Sequence, residues 1–279
     1  MPAQVKGGEV KIALGVEYDG TQYHGWQRQS NTSLTVQQKV EDALSVLATH
    51  PVAVVCAGRT DAGVHAFEQV VHFETDKQRS DHEWVMGTNA NLPKDIRIVW
   101  MQAVNDDFHA RYSAAARYYS YEILNRGVTS ALHRHHVTTI FHPLDENLMQ
   151  RGANFLLGEH DFTSFRASGC QAKNPIKQIH SILITRTDDK ITLDIIASAF
   201  LHHMVRNIVG TLLPVGRGEK PAEWVASVLK AKDRKIAGVT AMPNGLYFKG
   251  VYYPKRFGLP TLDAFAAHCD AIETKPTFE

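Results

Sequence analysis

Two ionisable side chains, Arg59 and Asp61, stand between Gly58 and Gly63 in the stretch Ala57-Gly58-Arg59-Thr60-Asp61-Ala62-Gly63-Val64-His65-Ala66. Glycines let the backbone turn sharply, so a pair of opposite charges can be held at the end of a sheet. A carboxylate presented in that way can attack or electrostatically stabilise an electron-poor carbon, as in retaining glycosidases. The same spacing fits a tight turn in which the aspartate bonds only its own backbone. Spacing alone leaves both readings open.

Two further groups stand out. Leu201, Met204, Val205, Ile208, Val209, Leu212 and Leu213 would cover most of a helix, leaving His203, Arg206, Asn207 and Gly210 as one narrow polar stripe. A helix this apolar is expected to be buried. An arginine on its only polar stripe then needs an anionic partner, for which Asp61 is the candidate; snorkelling to solvent fits the pattern equally well. Arg117-Tyr118-Tyr119-Ser120-Tyr121 reads as a strand with Tyr119, Tyr121 and Ile123 on one face, a pattern ordinary for a sheet core. Fifteen histidines include His133-Arg134-His135-His136 and His202-His203. Adjacent histidines on a helix point apart, and no H-x-x-x-H or HExxH spacing occurs, so no metal site is expected.

The elements that must position these groups follow from periodicity. Ile12, Leu14, Val16 and Tyr18 predict a half-buried strand from Val10 to Tyr18, and Asp19-Gly20 turns into an aromatic-rich loop ending at Gln27. Thr35 can cap a helix carrying Val36, Val40, Leu44 and Leu47. Val52–Cys56 and Val70–Phe73 are short and β-branched enough for buried strands. Ser80-x-x-Glu83 is a capping-box pattern opening a helix through Trp84 and Met86; Pro93 ends it, and Ile96, Ile98 and Trp100 continue as a strand. This order predicts an α+β half with a mostly antiparallel sheet. After the tyrosine strand come a helix over Leu144–Leu157 with Leu144, Leu148 and Phe155 inward, and a hairpin of His180–Thr187 and Ile191–Phe200. Helices over Leu201–Leu213 and Ala222–Ala231 and a strand over Leu246–Tyr253 complete a second half of similar grammar, with no sequence repeat. The domains expected are a disordered lead (1–8), an N-terminal α+β domain (9–107), a C-terminal α+β domain (108–258) and a tail (259–279).

A chain of 279 residues, 44% hydrophobic and 21% charged, has room for two ordinary globular domains. Cys56, Cys170 and Cys269 form no CxxC, so neither a disulfide framework nor a zinc site is suggested and a reducing cytosol fits. No run approaches the roughly 18 apolar residues of a membrane span and no signal peptide is evident, so a soluble cytoplasmic protein is expected. The net charge of +1 is unevenly spread. Arg166, Lys173 and Lys177 lie in an acid-free stretch, as do Arg206 and Arg217, while Lys230, Lys232, Arg234 and Lys235 gather around Asp233. Solvated faces and a local basic groove both fit that distribution.

GRTDAGVHA closely resembles the signature of the tRNA pseudouridine synthases of the TruA family. YDGTxYxGWQ (from Tyr18), FHARY, RYYSY, DFTSFR, HHMVRN and AMPNGLYFKGVYY occur in the family's order, so the resemblance covers Tyr18 to Tyr253. It implies a pseudouridine synthase-like α+β fold, two half-domains with mixed, mostly antiparallel sheets meeting at a central catalytic cleft. It implies a homodimer with an active-site cleft in each subunit that uses no cofactor; that no membrane is involved is expected from the absence of a long apolar run. The activity implied is isomerisation of uridine to pseudouridine on the 3′ side of the tRNA anticodon stem-loop, at tRNA positions 38, 39 and 40. Asp61 would be the nucleophile, Arg206 its partner, and Tyr119, rather than Tyr118 or Tyr121, the ring that stacks on the target base. That base must be flipped out of its stem, at a few kcal/mol, and Arg59 would fill the space it leaves.

RNA contacts are expected from Arg79, Arg126, Phe108-His109-Ala110-Arg111-Tyr112 and Gly169-Cys170-Gln171-Ala172-Lys173. In the last loop a lysine stands where an arginine is expected, which keeps phosphate binding but weakens a bidentate contact. Two other functions use the same features: a glycosidase that releases free uracil, and a non-catalytic RNA chaperone.

Overall fold

In the computed structural model, which describes residues 8–260, 262, 263 and 265, the first predicted strand forms with the expected bounds as β1 (Val10–Tyr18). The lead expected over 1–8 and the tail over 259–279 lie mostly outside the described residues. Ala13 and Gly15 are buried along with Ile12, Leu14, Val16 and Tyr18, so β1 is covered on both faces rather than one. Helix α1 (Val36–Ala48) starts where the Thr35 hydroxyl accepts the Gln38 N–H.

The strand expected over Val52–Cys56 shrinks to β2 (Val55–Cys56). The Val52 N–H donates to Ser45 Oγ and the Val54 N–H to Glu41 Oε1, so side chains of α1 take donors a sheet would have used. Strand β3 (His65–Thr75) begins inside the GRTDAGVHA stretch. Both halves of the Ser80–Glu83 capping box form at the start of α2 (Asp81–Asn91), and β4 (Ile96–Val104) follows. β1 pairs antiparallel with β3 and β4, and β2 pairs antiparallel with β3. These elements make one compact unit, which holds the chain up to Ala115 and takes back Gly250–Leu262.

The second unit holds Ala116–Lys249. Its strands are β5 (Ala116–Asn125), β6 (Thr138–Ile140), β7 (Gly158–Asp161), β8 (Ile176–Thr187) and β9 (Lys190–Ala197). They run in the order β6-β5-β9-β8-β7, antiparallel apart from β6 on β5. Asp188, at φ +52°, turns the β8–β9 hairpin in two residues. Helix α3 (Glu146–Asn154) is shorter than expected at both ends: the Asp145 carboxylate caps the Asn147 and Leu148 N–H groups at its start, and after Asn154 the Phe155, Leu156 and Leu157 N–H groups bond three residues back. Its inward residues are Met149, Gly152 and Ala153; Phe155, expected inward, is 40% exposed.

Helix α4 (Met204–Gly216) starts three residues late because His203 adopts φ +61°, outside the helical region. Helix α5 (Glu223–Ala231) follows, and the chain returns to the first unit within β10 (Leu246–Tyr252).

The polar stripe of α4 proves to be a packing seam. Asn207 and Gly210 are fully buried beneath residues 233–241. Asn207 Oδ1 accepts from Arg234 and from the Thr240 hydroxyl, and its Nδ2 donates to the Phe165 carbonyl. A Cβ on Gly210 would lie 1.7 Å from the Val239 carbonyl oxygen. Gly210→Ala must therefore displace backbone, and a loss of about 1–3 kcal/mol in urea-unfolding free energy is expected.

Candidate active site

The backbone around Asp61 is fixed from both sides. Gln69, wholly buried on β3, closes on Gly58: its Oε1 accepts the Gly58 N–H at 3.3 Å and its Nε2 donates to the Gly58 carbonyl. The Tyr18 and Thr60 hydroxyls lie 2.7 Å apart in a hydrogen bond. Burial raises the Tyr18 hydroxyl well above its ordinary value, so it remains a neutral hydrogen-bonding group. The Trp26 N–H donates to the Thr60 carbonyl at 3.0 Å, the Gly63 N–H to Tyr23 at 3.3 Å and the Val64 N–H to Asp61 at 3.2 Å. Asp61 itself is half-buried and Arg59 is exposed.

These bonds explain the YDGTxYxGWQ segment, which forms a collar for the loop. Gly25, at φ +91°, lies so close that a Cβ would come within 2.7 Å of the Thr60 carbonyl oxygen. His65 Nδ1 accepts the Gly20 N–H at 3.1 Å, joining collar to strand. Tyr23 and Trp26 are buried, so these aromatics also serve the core.

In FHARY, Phe108 and Ala110 are buried while Arg111 and Tyr112 are exposed. The Ala110 N–H donates to His72 Nδ1 at 3.1 Å, and its carbonyl accepts the Tyr253 hydroxyl at 2.6 Å. Arg79 donates twice to the Leu47 carbonyl at the end of α1. Arg126 donates to the Val128 and Thr129 carbonyls of its own turn.

In the second unit Tyr119 is 7% exposed, its ring edge-on to Phe200 and Phe248 with centroids 4.9 Å away in each case. Its neighbours are committed elsewhere. Tyr118 donates to Asp194 Oδ1, and Tyr121 donates to the Met242 carbonyl, burial pushing the Tyr121 hydroxyl up to about 12. Arg206 is half-buried; its Nε donates to the Ala241 carbonyl at 2.8 Å and its own carbonyl accepts the Ala241 N–H at 3.1 Å.

The loop from Gly169 to Lys173 is tied to the turn before α4. Cys170 Sγ accepts the His202 N–H, and its carbonyl accepts from Arg166 at 2.6 Å. Burial alone would raise the Cys170 thiol, but N–H groups of His202 and Ala172 and the charge of Arg166 bring it below its ordinary value. Gly169, Gln171 and Lys173 are exposed, and Ala172 is half-buried.

Gln69 and the Ala241 carbonyl escaped the sequence reading, and Tyr18 and Arg166 entered it only as a strand and motif residue and as part of a basic stretch, not for the contacts they make here. Gln69 carried the one available signal, an amide entering an apolar strand run.

The sequence that builds this loop and its surroundings matches a known family. The family model described as tRNA pseudouridine synthase matches residues 15–113 and 153–254, so the chain belongs to that family. Among its relatives is tRNA pseudouridine synthase A of Coxiella burnetii (strain Dugway 5J108-111), 54% identical over 90% of this chain and 96% of that protein. The protein of the same name from Pseudoalteromonas atlantica is 54% identical over 91% of this chain and 96% of its own length. That from Pectobacterium atrosepticum is 54% identical over 90% and 88%.

Gln69→Leu leaves both polar groups of Gly58 unpaired, and a stability loss of about 1–3 kcal/mol with faster amide exchange at Gly58 is expected. Burial, His109 and Lys11 lower the His72 imidazole to about 4, against the opposing charge of Glu74. The unfolded chain takes up this proton near pH 6.5 while the folded chain resists it. Stability therefore falls as pH drops from about 6.5 towards about 4, and His72→Asn, which retains an acceptor, should flatten that part of a Tm–pH curve.

Proposed function

We propose that this chain isomerises uridine to pseudouridine in tRNA. The observation that carries the reading is the loop around Asp61: a half-buried carboxylate, presented by backbone hydrogen-bonded on both sides, in a chain of this family. The bond from uracil N1 to the ribose breaks, the base turns, and uracil C5 bonds to the same ribose carbon. The hydrogen of C5 leaves as a proton and N1 gains one. Nothing is oxidised and no water is consumed, so the balance calls for no cofactor.

In this proposal Asp61 supplies the carboxylate that acts on the ribose, and Arg206 is the cation that pairs with it. The tether from Arg206 Nε to the Ala241 carbonyl supports that role, because it limits where the guanidinium can point. Tyr119 stacks on the target base and relays the C5 proton. Arg59, exposed two residues from Asp61, fills the space left by the flipped nucleotide. Arg111, Lys173, Arg79 and Arg126 contact phosphates, with Phe108, His109, Ala110, Tyr112, Gly169, Cys170, Gln171 and Ala172 shaping the two RNA-contact loops. The target is the 3′ side of the anticodon stem-loop, and the working form is a cytoplasmic homodimer, which sedimentation would reveal. Among the described residues no helix is long and apolar enough to cross a membrane.

Unmodified tRNA labelled at uracil C5 separates the readings. Label released to solvent from intact RNA is expected; free uracil would mean hydrolysis, and binding without either would mean a chaperone. Arg206→Met should lower the rate of label release by about a hundredfold or more.

A further inference from the structure

Beyond the reacting groups, the first unit carries a column of rings that ends at the surface. Its base is His72, 6% exposed, packed edge-on to Phe108 with centroids 5.9 Å apart. The His109 ring meets the His72 ring at 4.8 Å with planes tilted by 60°, and the Tyr112 ring stacks on His109 at 4.3 Å with planes 30° apart. Tyr112 is 71% exposed, yet the turn that carries it is closely bonded. His109 Nδ1 accepts from the N–H groups of both Arg111 and Tyr112 at 3.2 Å, which folds the chain back over the imidazole. The His109 N–H donates to Ser113 Oγ, and the Ser113 N–H donates to the His109 carbonyl. Ala110 is pinned through its N–H by His72 and through its carbonyl by Tyr253. The Arg111 guanidinium carbon stands 5.6 Å from the Tyr112 ring centre.

An exposed aromatic ring on a short polar loop normally loses conformational freedom when it binds. Here the ring is already oriented, so less ordering entropy opposes a contact. A flat ring beside a guanidinium matches the two recurring features of a single-stranded nucleotide, a π-face and a phosphate. We propose that Tyr112, backed by His109 and His72, is a stacking platform for an unpaired nucleobase of the tRNA other than the one isomerised, with Arg111 on the adjoining phosphate. The proposal rests on the tRNA reading above, but its test reads binding rather than turnover, so the two can fail separately.

Affinity for unmodified tRNA is measured at several salt concentrations for the wild-type chain and for Tyr112→Ala, Tyr112→Phe and Arg111→Ala, with thermal melts to verify folding. Stacking predicts a loss of about tenfold for Tyr112→Ala, with its salt slope unchanged. Tyr112→Phe keeps the ring and should stay within about twofold of wild type. Arg111→Ala should reduce the log–log salt slope by about one. His109→Ala, which removes the ring beneath, should weaken binding in the same direction as Tyr112→Ala. Wild-type affinity in folded Tyr112→Ala would overturn the proposal. So would a Tyr112→Phe loss equal to that of Tyr112→Ala, because the hydroxyl and not the ring face would then make the contact. A wild-type chain that binds tRNA with this pattern but releases no C5 label would sink the isomerase reading and leave the platform standing.

Discussion

The closure of the Gln69 amide on both backbone groups of Gly58 is the constraint on which the presentation of Asp61 depends. A loop that leaves a sheet loses its ladder partners, and unpaired buried backbone groups cost about 1–3 kcal/mol each. An amide side chain can answer an N–H and a carbonyl at once, so one residue replaces a missing strand neighbour. With Gly58 fixed by Gln69, Thr60 by Tyr18 and Trp26, and Gly63 by Tyr23, little freedom is left to the residue between them. A backbone held this way need not be ordered again to present its side chain.

Side chains that answer loop backbone groups recur at several other points where the chain leaves regular structure. Glu41 accepts the Val54 N–H, His72 the Ala110 N–H and His109 those of Arg111 and Tyr112, while Asn207 and Arg234 hold residues 233–241 on α4. Buried polar side chains are thereby satisfied and the loops acquire defined shapes. His72 shows what this entails: an imidazole that must accept a hydrogen bond in a buried site cannot readily take a proton, which links loop shape to pH.

Elements defined by local chemistry could be read from the sequence. β1 follows from alternation, α1 from the Thr35 cap and α2 from the Ser80–Glu83 box. The misreadings have two sources, side chains outside the element and local turns of the backbone. β2 is short because Ser45 and Glu41 take its donors, and α4 starts late because His203 turns left-handed. Periodicity marked the polar side of α4 correctly, but it carries no information about what covers that side; Gly210 and Asn207 meet the loop 233–241 rather than water. For the candidate site, the motif singles out Asp61, whereas Gln69, eleven residues from Gly58, becomes meaningful only once β3 brings it back.

The central claim is that the charge of one caged carboxylate acts on the ribose. Asp61→Asn tests it most directly, since the amide keeps the size of the side chain and one acceptor oxygen while it removes the charge and turns the other oxygen into a donor. Unmodified tRNA is incubated with equimolar protein, digested to nucleosides, and its pseudouridine content measured by liquid chromatography. The account predicts conversion by the wild-type chain and none by the folded, tRNA-binding Asp61→Asn chain. Pseudouridine formed by Asp61→Asn at a rate near wild type would contradict it.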